Sequence, residues 1–447
     1  MLIVNSERYF MRNVDDMFCV EEFCFDKSQL YYRLLGRKGI LLRRALRQKN
    51  IVVDIFPERG RKKTRWVARG KDKIIVFRNT MTTSTLKWRK VTNDKYKTKQ
   101  FLYEAGVRVP EGVIIEPNKI IDALSWFDGL KNKKAVVKPV SGSGGRGITS
   151  SISTREQFER AYSSVTSNNV VLEEHIDGDD HRILVLGGRV IAAMRRWPAH
   201  VTGDGNKTIA QLVKIKNAVR KQNPYDHKYL LRLDDESIEY LKFQGYLPSS
   251  VLKSGENAYL QKVANIGAGG DGEDVTDIIH PDFVAIAAKS SKVFNGIECL
   301  GVDLIAEDIS KPADSQSYAV IELNANCDIP IHHWPSKGKS LDVASAIADY
   351  YFPNDKRDLS YGVNVEIKGK VQNTGYKKWL CQQALIYGVN GFCKDSEDGT
   401  ILTVFEGSEN SVESLLSLCA DGSAKSIVDE ICIERTSASC FSSFSML

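Results

Sequence analysis

The sequence predicts an α/β (α+β) chain in three parts, and three observations carry that expectation. Short apolar runs suited to strands alternate with helical stretches over most of its length. A polar segment, Pro353–Leu359 (PNDKRDL), reads as a linker. Beyond it, residues 363–434 read as strand, helix, two strands, helix, strand, the βαββαβ order. The expected boundaries are 1–92 for a small N-terminal α/β domain, 93–354 for a central domain and 361–435 for a C-terminal module.

The N-terminal part rests on a helical stretch around Leu30–Gln48 and apolar runs at Ile51–Ile55 and Ile74–Phe77. The central part rests on runs at Ala135–Val137, Val170–Leu172, Ile183–Val185, Val190–Met194, Gly301–Ile305 and Ala319–Leu323. Residues 436–447 read as a frayed tail. At 447 residues, 42% hydrophobic and 26% charged, the chain has the composition of a globular protein with sizeable cores. No apolar run approaches a membrane span and no leader peptide is visible, so a cytoplasmic protein is expected. Nine scattered cysteines without a CxxC pair argue against a disulfide framework and a structural zinc site. The net charge of +6 is uneven: Arg59, Arg61, Lys62, Lys63, Arg65, Arg69, Lys71 and Lys73 crowd one segment. Without an aromatic platform beside it, that segment reads as a solvated face before it reads as a nucleic-acid surface.

The most informative stretch is Ala135–Thr149, AVVKPVSGSGGRGIT. A strand delivers Lys138 onto a loop in which Gly142, Gly144, Gly145 and Gly147 let the backbone fold closely over an anion, with Ser143 among them as a further candidate phosphate contact. Successive backbone N–H groups in such a loop form a nest for phosphate oxygens; a plain flexible turn is the alternative. The order is not that of a P-loop, since the lysine precedes the glycines. Upstream, Asn93 or Asp94 caps a helix that ends at Gly106. Lys95 lies in its first turn, where a cation opposes the helix dipole unless an anion is close.

Two further strands present carboxylates from apolar surroundings. Asp303 sits between Val302 and Leu304; Glu322 sits between Ile321 and Leu323, with Asn324 on its own face. Buried carboxylates without partners are costly. Hard oxygen donors on facing strands suit Mg²⁺ beside phosphates, and a salt-bridged core pair is the alternative. Between these landmarks, Val170–Gly205 contains a strand end followed by Glu173, Ile176 and Asp180, then a hairpin turning at Gly187–Gly188, with Arg196 at its far end.

In this order the blocks resemble the ATP-grasp superfamily, most closely the ligase domain of cyanophycin synthetase and bifunctional glutathione synthetase. The likeness covers about 92–354, including NIGAGGDGEDVTDIIHP and ELNANCDIPIHHWPSKG. It implies an ATP-dependent carboxylate–amine ligase that forms an amide through an acyl phosphate. It also implies ATP and two Mg²⁺ ions as cofactors. Lys95 and Lys138 would bind the α- and β-phosphates, and the Gly142–Gly147 loop would close over the β- and γ-phosphates. Glu173 and Ile176 would meet the adenine, and Asp180 the ribose. Asp303, Glu322 and Asn324 would ligate the metal, and Arg196 would steady the acyl phosphate. Asn265, Gly269 and Gly270 would form a loop near the transferred phosphate.

The expected partners are an amino-acid or peptide carboxylate and an amine, without nucleic acid or membrane. Relatives are often dimers or tetramers, which leaves a homo-oligomer open. Cys327–Asp328 replaces the Pro-Gly common in relatives, and Gln261–Lys262 replaces an arginine, so substrate identity does not transfer. The C-terminal module has a ferredoxin-like order and resembles acylphosphatase through GKVQNTGYKKW and GVNGFCKDSEDGT. Lys377 stands at that family's arginine position and Asp395 at its asparagine position, which implies impaired hydrolysis. Two other readings remain: an ATP-grasp small-molecule kinase, and a non-catalytic nucleotide-binding module with a basic partner-binding N-terminal domain.

Overall fold

A computed structural model describes residues 38–57, 64–78, 91–92, 94–131, 133–140, 147–167, 169–294, 296–357, 361–437 and 441–447. Arg59, Arg61, Lys62 and Lys63 of the basic segment lie outside the described residues, as do Gly142, Ser143, Gly144 and Gly145 of the glycine loop. The chain divides into two compact units: Met1–Thr83 with Val343–Leu447, and Ser84–Asp342. Among the described residues no helix is long and apolar enough to cross a membrane.

Among the described residues, the first unit begins with helix α1 (38–47) and an antiparallel meander of β1 (Val52–Pro57), β2 (Thr64–Arg69) and β3 (Ile74–Arg78). Its second sheet has the order β18-β15-β17-β16-β19, from β15 (Tyr361–Lys370), β16 (Asn390–Asp395), β17 (Ile401–Gly407), β18 (Ile427–Ser437) and β19 (Phe444–Met446). Two other helices of this unit, Tyr376–Tyr387 and Glu409–Cys419, follow β15 and β17, which completes the βαββαβ order. The chain end is not a frayed tail. Residues 436–437 complete β18, and β19 pairs parallel to β16. Phe441 meets Phe392 edge-on and Phe444 approaches Phe405, so aromatic packing holds the end down.

The second unit holds two larger sheets, besides an antiparallel pair of β10 (His200–Thr202) and β11 (Asn257–Tyr259). One has the order β4-β7-β5-β6, from β4 (Gly112–Ile115), β5 (Ala135–Pro139), β6 (Thr149–Ile152) and β7 (Val170–Glu174). The other has the order β12-β9-β8-β13-β14, from β8 (Asp179–Leu186), β9 (Arg189–Trp197), β12 (Asp271–Asp274), β13 (Cys299–Ala306) and β14 (Tyr318–Asn324). The β8–β9 hairpin turns at Gly187 and Gly188, both with positive φ, as the sequence predicts. Helix α2 (Lys95–Glu104) takes Asp94 as its N-cap, whose side chain accepts from the Lys97 N–H.

Strand alternation sorts the second sheet into two faces. Ile183, Val185, Ala193, Val302, Leu304 and Leu323 enter a core with Phe283, Ala287 and Leu102. Asp180, Arg182, Arg196, Asp303, Glu322 and Asn324 are left on the other face. In the first sheet, Ala135, Val137, Val170 and Leu172 pack on Ala123, Phe127 and Phe158. Lys138 and Glu173 therefore project away from that core. The β7–β8 turn needs Gly178, at φ +136°, because a Cβ there would lie 2.5 Å from the Ala306 carbonyl carbon.

Candidate functional site

Two charged clusters form on these polar faces, and one helix touches both. On the larger sheet, Asp303 lies opposite Arg182 on β8 and opposite Glu322 on β14. Arg182 donates from Nε and Nη2 to the two Asp303 oxygens, each at 2.8 Å. Arg196 donates to Asp303 at 3.0 Å and to Asp180 at 2.6 Å. Asn324 Nδ2 adds a bond to Asp303 Oδ2 at 3.2 Å. Such bidentate and charge-assisted bonds offset the cost of burying a carboxylate.

Arginine outweighs burial at one acid and not at the other. Burial alone raises the pKa of Asp303, but Arg182 and Arg196 hold it down at about 2. Burial, with the Asp303 charge nearby, pushes Asp180 up to about 6 despite Arg196. Two acids sharing one arginine are thus driven apart.

On the smaller sheet, Glu173 is buried between two lysines. Lys138 Nζ donates to Oε2 at 2.6 Å, and Lys99 donates to Oε1. Burial opposes the charge on Glu173, yet the two ammonium groups hold its carboxyl at about 2. Burial and the neighbouring Lys138 bring Lys99 down to about 7.

Helix α2 joins the clusters. Lys95 reaches Glu322 at 3.6 Å and Lys99 reaches Glu173, one helical turn apart on the same face. Lys95 is not a surface lysine: only 13% of its side chain is exposed. Lys138 and Glu173 thus form one cluster and Asp303, Asn324, Arg196 and Asp180 another; helix α2 reaches the first through Lys99, and through Lys95 it reaches Glu322, the residue opposite Asp303. Ile176 is buried in the turn between Glu173 and Asp180. The Asn265 turn lies beside the Arg196 cluster: Asn265 Oδ1 accepts from Gly267 N–H, and Gly269 has φ +95°. A Cβ on Gly270 would lie 2.5 Å from the Trp197 carbonyl oxygen, one residue past Arg196.

Sequence reasoning missed Lys99 and Arg182. The signals were present, since Lys99 stands four residues after Lys95 on a predicted helix and Arg182 two residues after Asp180 on a predicted strand.

Two carboxylates and an amide oxygen on adjacent strands are hard donors that fit Mg²⁺. Their states differ. Both Asp303 oxygens already serve arginines, whereas Glu322 is about one-third exposed, with Lys95 at 3.6 Å. Among the described residues no group of three or more His, Cys, Asp or Glu could hold a metal, so the donor set depends on Asn324.

In the C-terminal module Lys377 Nζ and Asp395 Oδ2 form a 2.6 Å ion pair. Cys299 and Cys327 are buried thiols 3.7 Å apart, in keeping with cysteines that serve as small apolar side chains.

Residues 92–201 match the family model described as an ATP-grasp domain, and residues 363–446 match the one described as acylphosphatase. The chain is 36% identical over 269 residues to the cyanophycin synthetase of Geminocystis herdmanii, covering 59% of this chain and 30% of that one. It is 34% identical over 268 residues to the glutathione biosynthesis bifunctional protein of Clostridium perfringens, covering 59% and 34%. A solved bifunctional glutathione synthetase from Pasteurella multocida aligns with a TM-score of 0.54 and 27% identity, covering 73% of this chain and 46% of that one. The chain thus spans about a third of the length of the curated relatives it matches. The chain carries an ATP-grasp domain followed by an acylphosphatase-like domain.

Proposed function

We propose that this protein is an ATP-dependent carboxylate–amine ligase. In this reading a carboxylate oxygen attacks the γ-phosphorus of ATP, giving an acyl phosphate and ADP. An amine then forms the C–N bond, phosphate leaves with the C–O electron pair, and the amine gives up a proton. The observation that supports this best is helix α2, whose lysines connect the acid row on one sheet to the Lys138–Glu173 pair on the other. Phosphoryl transfer asks a protein mainly for positioning and charge neutralisation, which such a network offers.

The roles follow from the residues. Lys95 and Lys138 neutralise the α- and β-phosphates, and the glycine loop ending at Gly147 covers the outer phosphates. Glu173 and Ile176 line the adenine, and Asp180 meets the ribose. Arg196 steadies the oxyanion of the acyl phosphate and its tetrahedral successor, while Arg182 fixes Asp303. Asn265, Gly269 and Gly270 form a loop near the transferred phosphate. Asp303, Glu322 and Asn324 would hold two Mg²⁺ ions, which when bound shield the triphosphate charge. The carboxylate and amine are amino acids or peptides, and the enzyme works in the cytoplasm. The acylphosphatase-like module serves in binding or packing: the Lys377–Asp395 pair sits where its relatives need a phosphate fork and a water-orienting amide.

Three measurements check this reading. Glu322→Ala should lower amine-dependent ADP release roughly 100-fold with little change in melting temperature, because Glu322 is partly exposed; near-normal turnover contradicts the metal assignment. Asp303→Ala is not a clean test, since it leaves two arginines without their acid at a cost of about 3–5 kcal/mol.

Glu173 has a folded pKa below its unfolded value of 4.5, so its contribution is complete above that value and is lost as pH falls through about 2. Urea titrations between pH 2 and pH 7 should therefore show Glu173→Gln flattening the acid loss. The same variant should be destabilised by about 3–5 kcal/mol at neutral pH, with two buried ammonium groups left facing each other. Equal stability at neutral pH contradicts the network. Finally, Lys377→Arg combined with Asp395→Asn should raise hydrolysis of benzoyl phosphate above that of the unaltered chain; no increase means that the module lacks more than these two groups.

A further inference from the structure

Asp328 lies four residues beyond Asn324 in the chain, and the structure gives it a specific setting. Its carboxylate accepts a 2.5 Å hydrogen bond from the Tyr225 hydroxyl. Tyr225 is itself buried in an apolar cluster with Met194, Ile266 and Ile331. These neighbours come from three parts of the site. Met194 precedes Arg196 by two residues on the same face of β9, Ile266 follows Asn265, and Ile331 lies three residues beyond Asp328.

The acid row is equally close. A Cβ on Gly301, the residue opposite Asn324, would lie 3.1 Å from the Cys327 Cβ and 3.8 Å from Arg182 Cδ. Asp328 is the next residue in the chain. Burial pushes the Tyr225 phenol up, Asp328 adds to that, and Arg182 opposes it, so Arg182 lies within electrostatic reach of Tyr225. Asp328 thus lies beside the Asp303–Asn324 row and is joined through Tyr225 to the Asn265 turn.

A second, independent feature lies four residues on. His332 is 1% exposed, and neither ring nitrogen has a hydrogen-bond partner. Burial keeps it neutral, at about 3, with Arg182 contributing. A neutral imidazole carries one donor and one acceptor, and burying both without partners costs free energy unless a ligand group satisfies them.

We propose that Asp328, held in place by Tyr225, receives the acceptor as an ammonium and takes from it the proton that must leave before the amide forms. The acceptor is then a primary amine whose ammonium group pairs with Asp328. The ammonium first gives one proton to the Asp328 carboxylate, which frees the nitrogen lone pair; as the neutral amine attacks the acyl carbon, the C–N bond forms, the C–O bond to phosphate breaks, and the second N–H proton leaves on the phosphate. Tyr225 is a positioning residue: its hydroxyl fixes one carboxylate oxygen and leaves the other for the amine. This assignment rests on the ligase reading above and adds the class of acceptor and the residue that selects it.

The test supplies the full chain with ATP, Mg²⁺ and the twenty amino acids in pairs, and reads ADP and phosphate release. With the productive pair in hand, Asp328→Asn should raise the KM for the amine about tenfold or more while the KM for ATP stays within about twofold. Tyr225→Phe should raise the amine KM by a smaller factor with little change in kcat, which keeps the test valid if Asp328→Asn folds poorly. An amine KM unmoved in both variants overturns the assignment and leaves the ligase reading standing. A parallel rise in both KM values also overturns it, because Asp328 then serves the nucleotide. If neither these pairs nor dipeptides paired with the same amino acids release ADP from the unaltered chain, the ligase reading fails and this assignment falls with it.

Discussion

A buried acid between two buried lysines is the constraint on which the rest of this site depends. Glu173 cannot be ionised in that position without Lys99 and Lys138, and neither lysine tolerates burial without Glu173. The arrangement fixes the register of helix α2 against the smaller sheet. Once Lys99 is placed, the helical period carries Lys95 to the edge of the larger sheet, where Glu322 meets it. A single turn of helix therefore couples the two halves of the charged network. The same logic operates around Asp303, where two arginines from neighbouring strands hold one carboxylate. Charge is concentrated on these faces because the opposite faces are committed to apolar cores.

Much of the fold was legible because period-two alternation and glycine punctuation are local signals. The strands at Ala135, Val170, Ile183, Val190, Gly301 and Ala319 all form, and the hairpin turns at the expected glycine pair. The final strand at Phe444–Met446 was not legible. Three residues carry no period, and their strand exists only because β16 offers an edge and aromatic partners. The acids of the site were recognisable from their apolar flanks, which made burial the expectation. Their counter-ions were not, since Arg182 and Lys99 look like ordinary surface residues until pairing across strands and helix is known. The choice between metal ligand and salt-bridged core also required the structure: Asp303 is salt-bridged, and Glu322 remains the more open oxygen donor.

Two places set this chain apart from what the resemblance implies: Cys327–Asp328 and the Lys377–Asp395 pair of the C-terminal module. Asp328 adds a carboxylate beside the acid row, and the buried Tyr225 hydroxyl holds it. Lys377 and Asp395 cancel one another across a 2.6 Å pair. Neither falls in the Lys99–Glu173–Lys138 cluster. They alter what the chain would join and what its C-terminal module would do, and leave in place the ATP chemistry that would drive the joining.

The most direct measurement is a crystal structure of the full chain with Mg²⁺ and a non-hydrolysable ATP analogue. This account predicts the triphosphate within hydrogen-bond reach of Lys95 and Lys138, with metal density against Asp303, Glu322 and Asn324. A nucleotide bound elsewhere, with those lysines still closed on their acids, would contradict it.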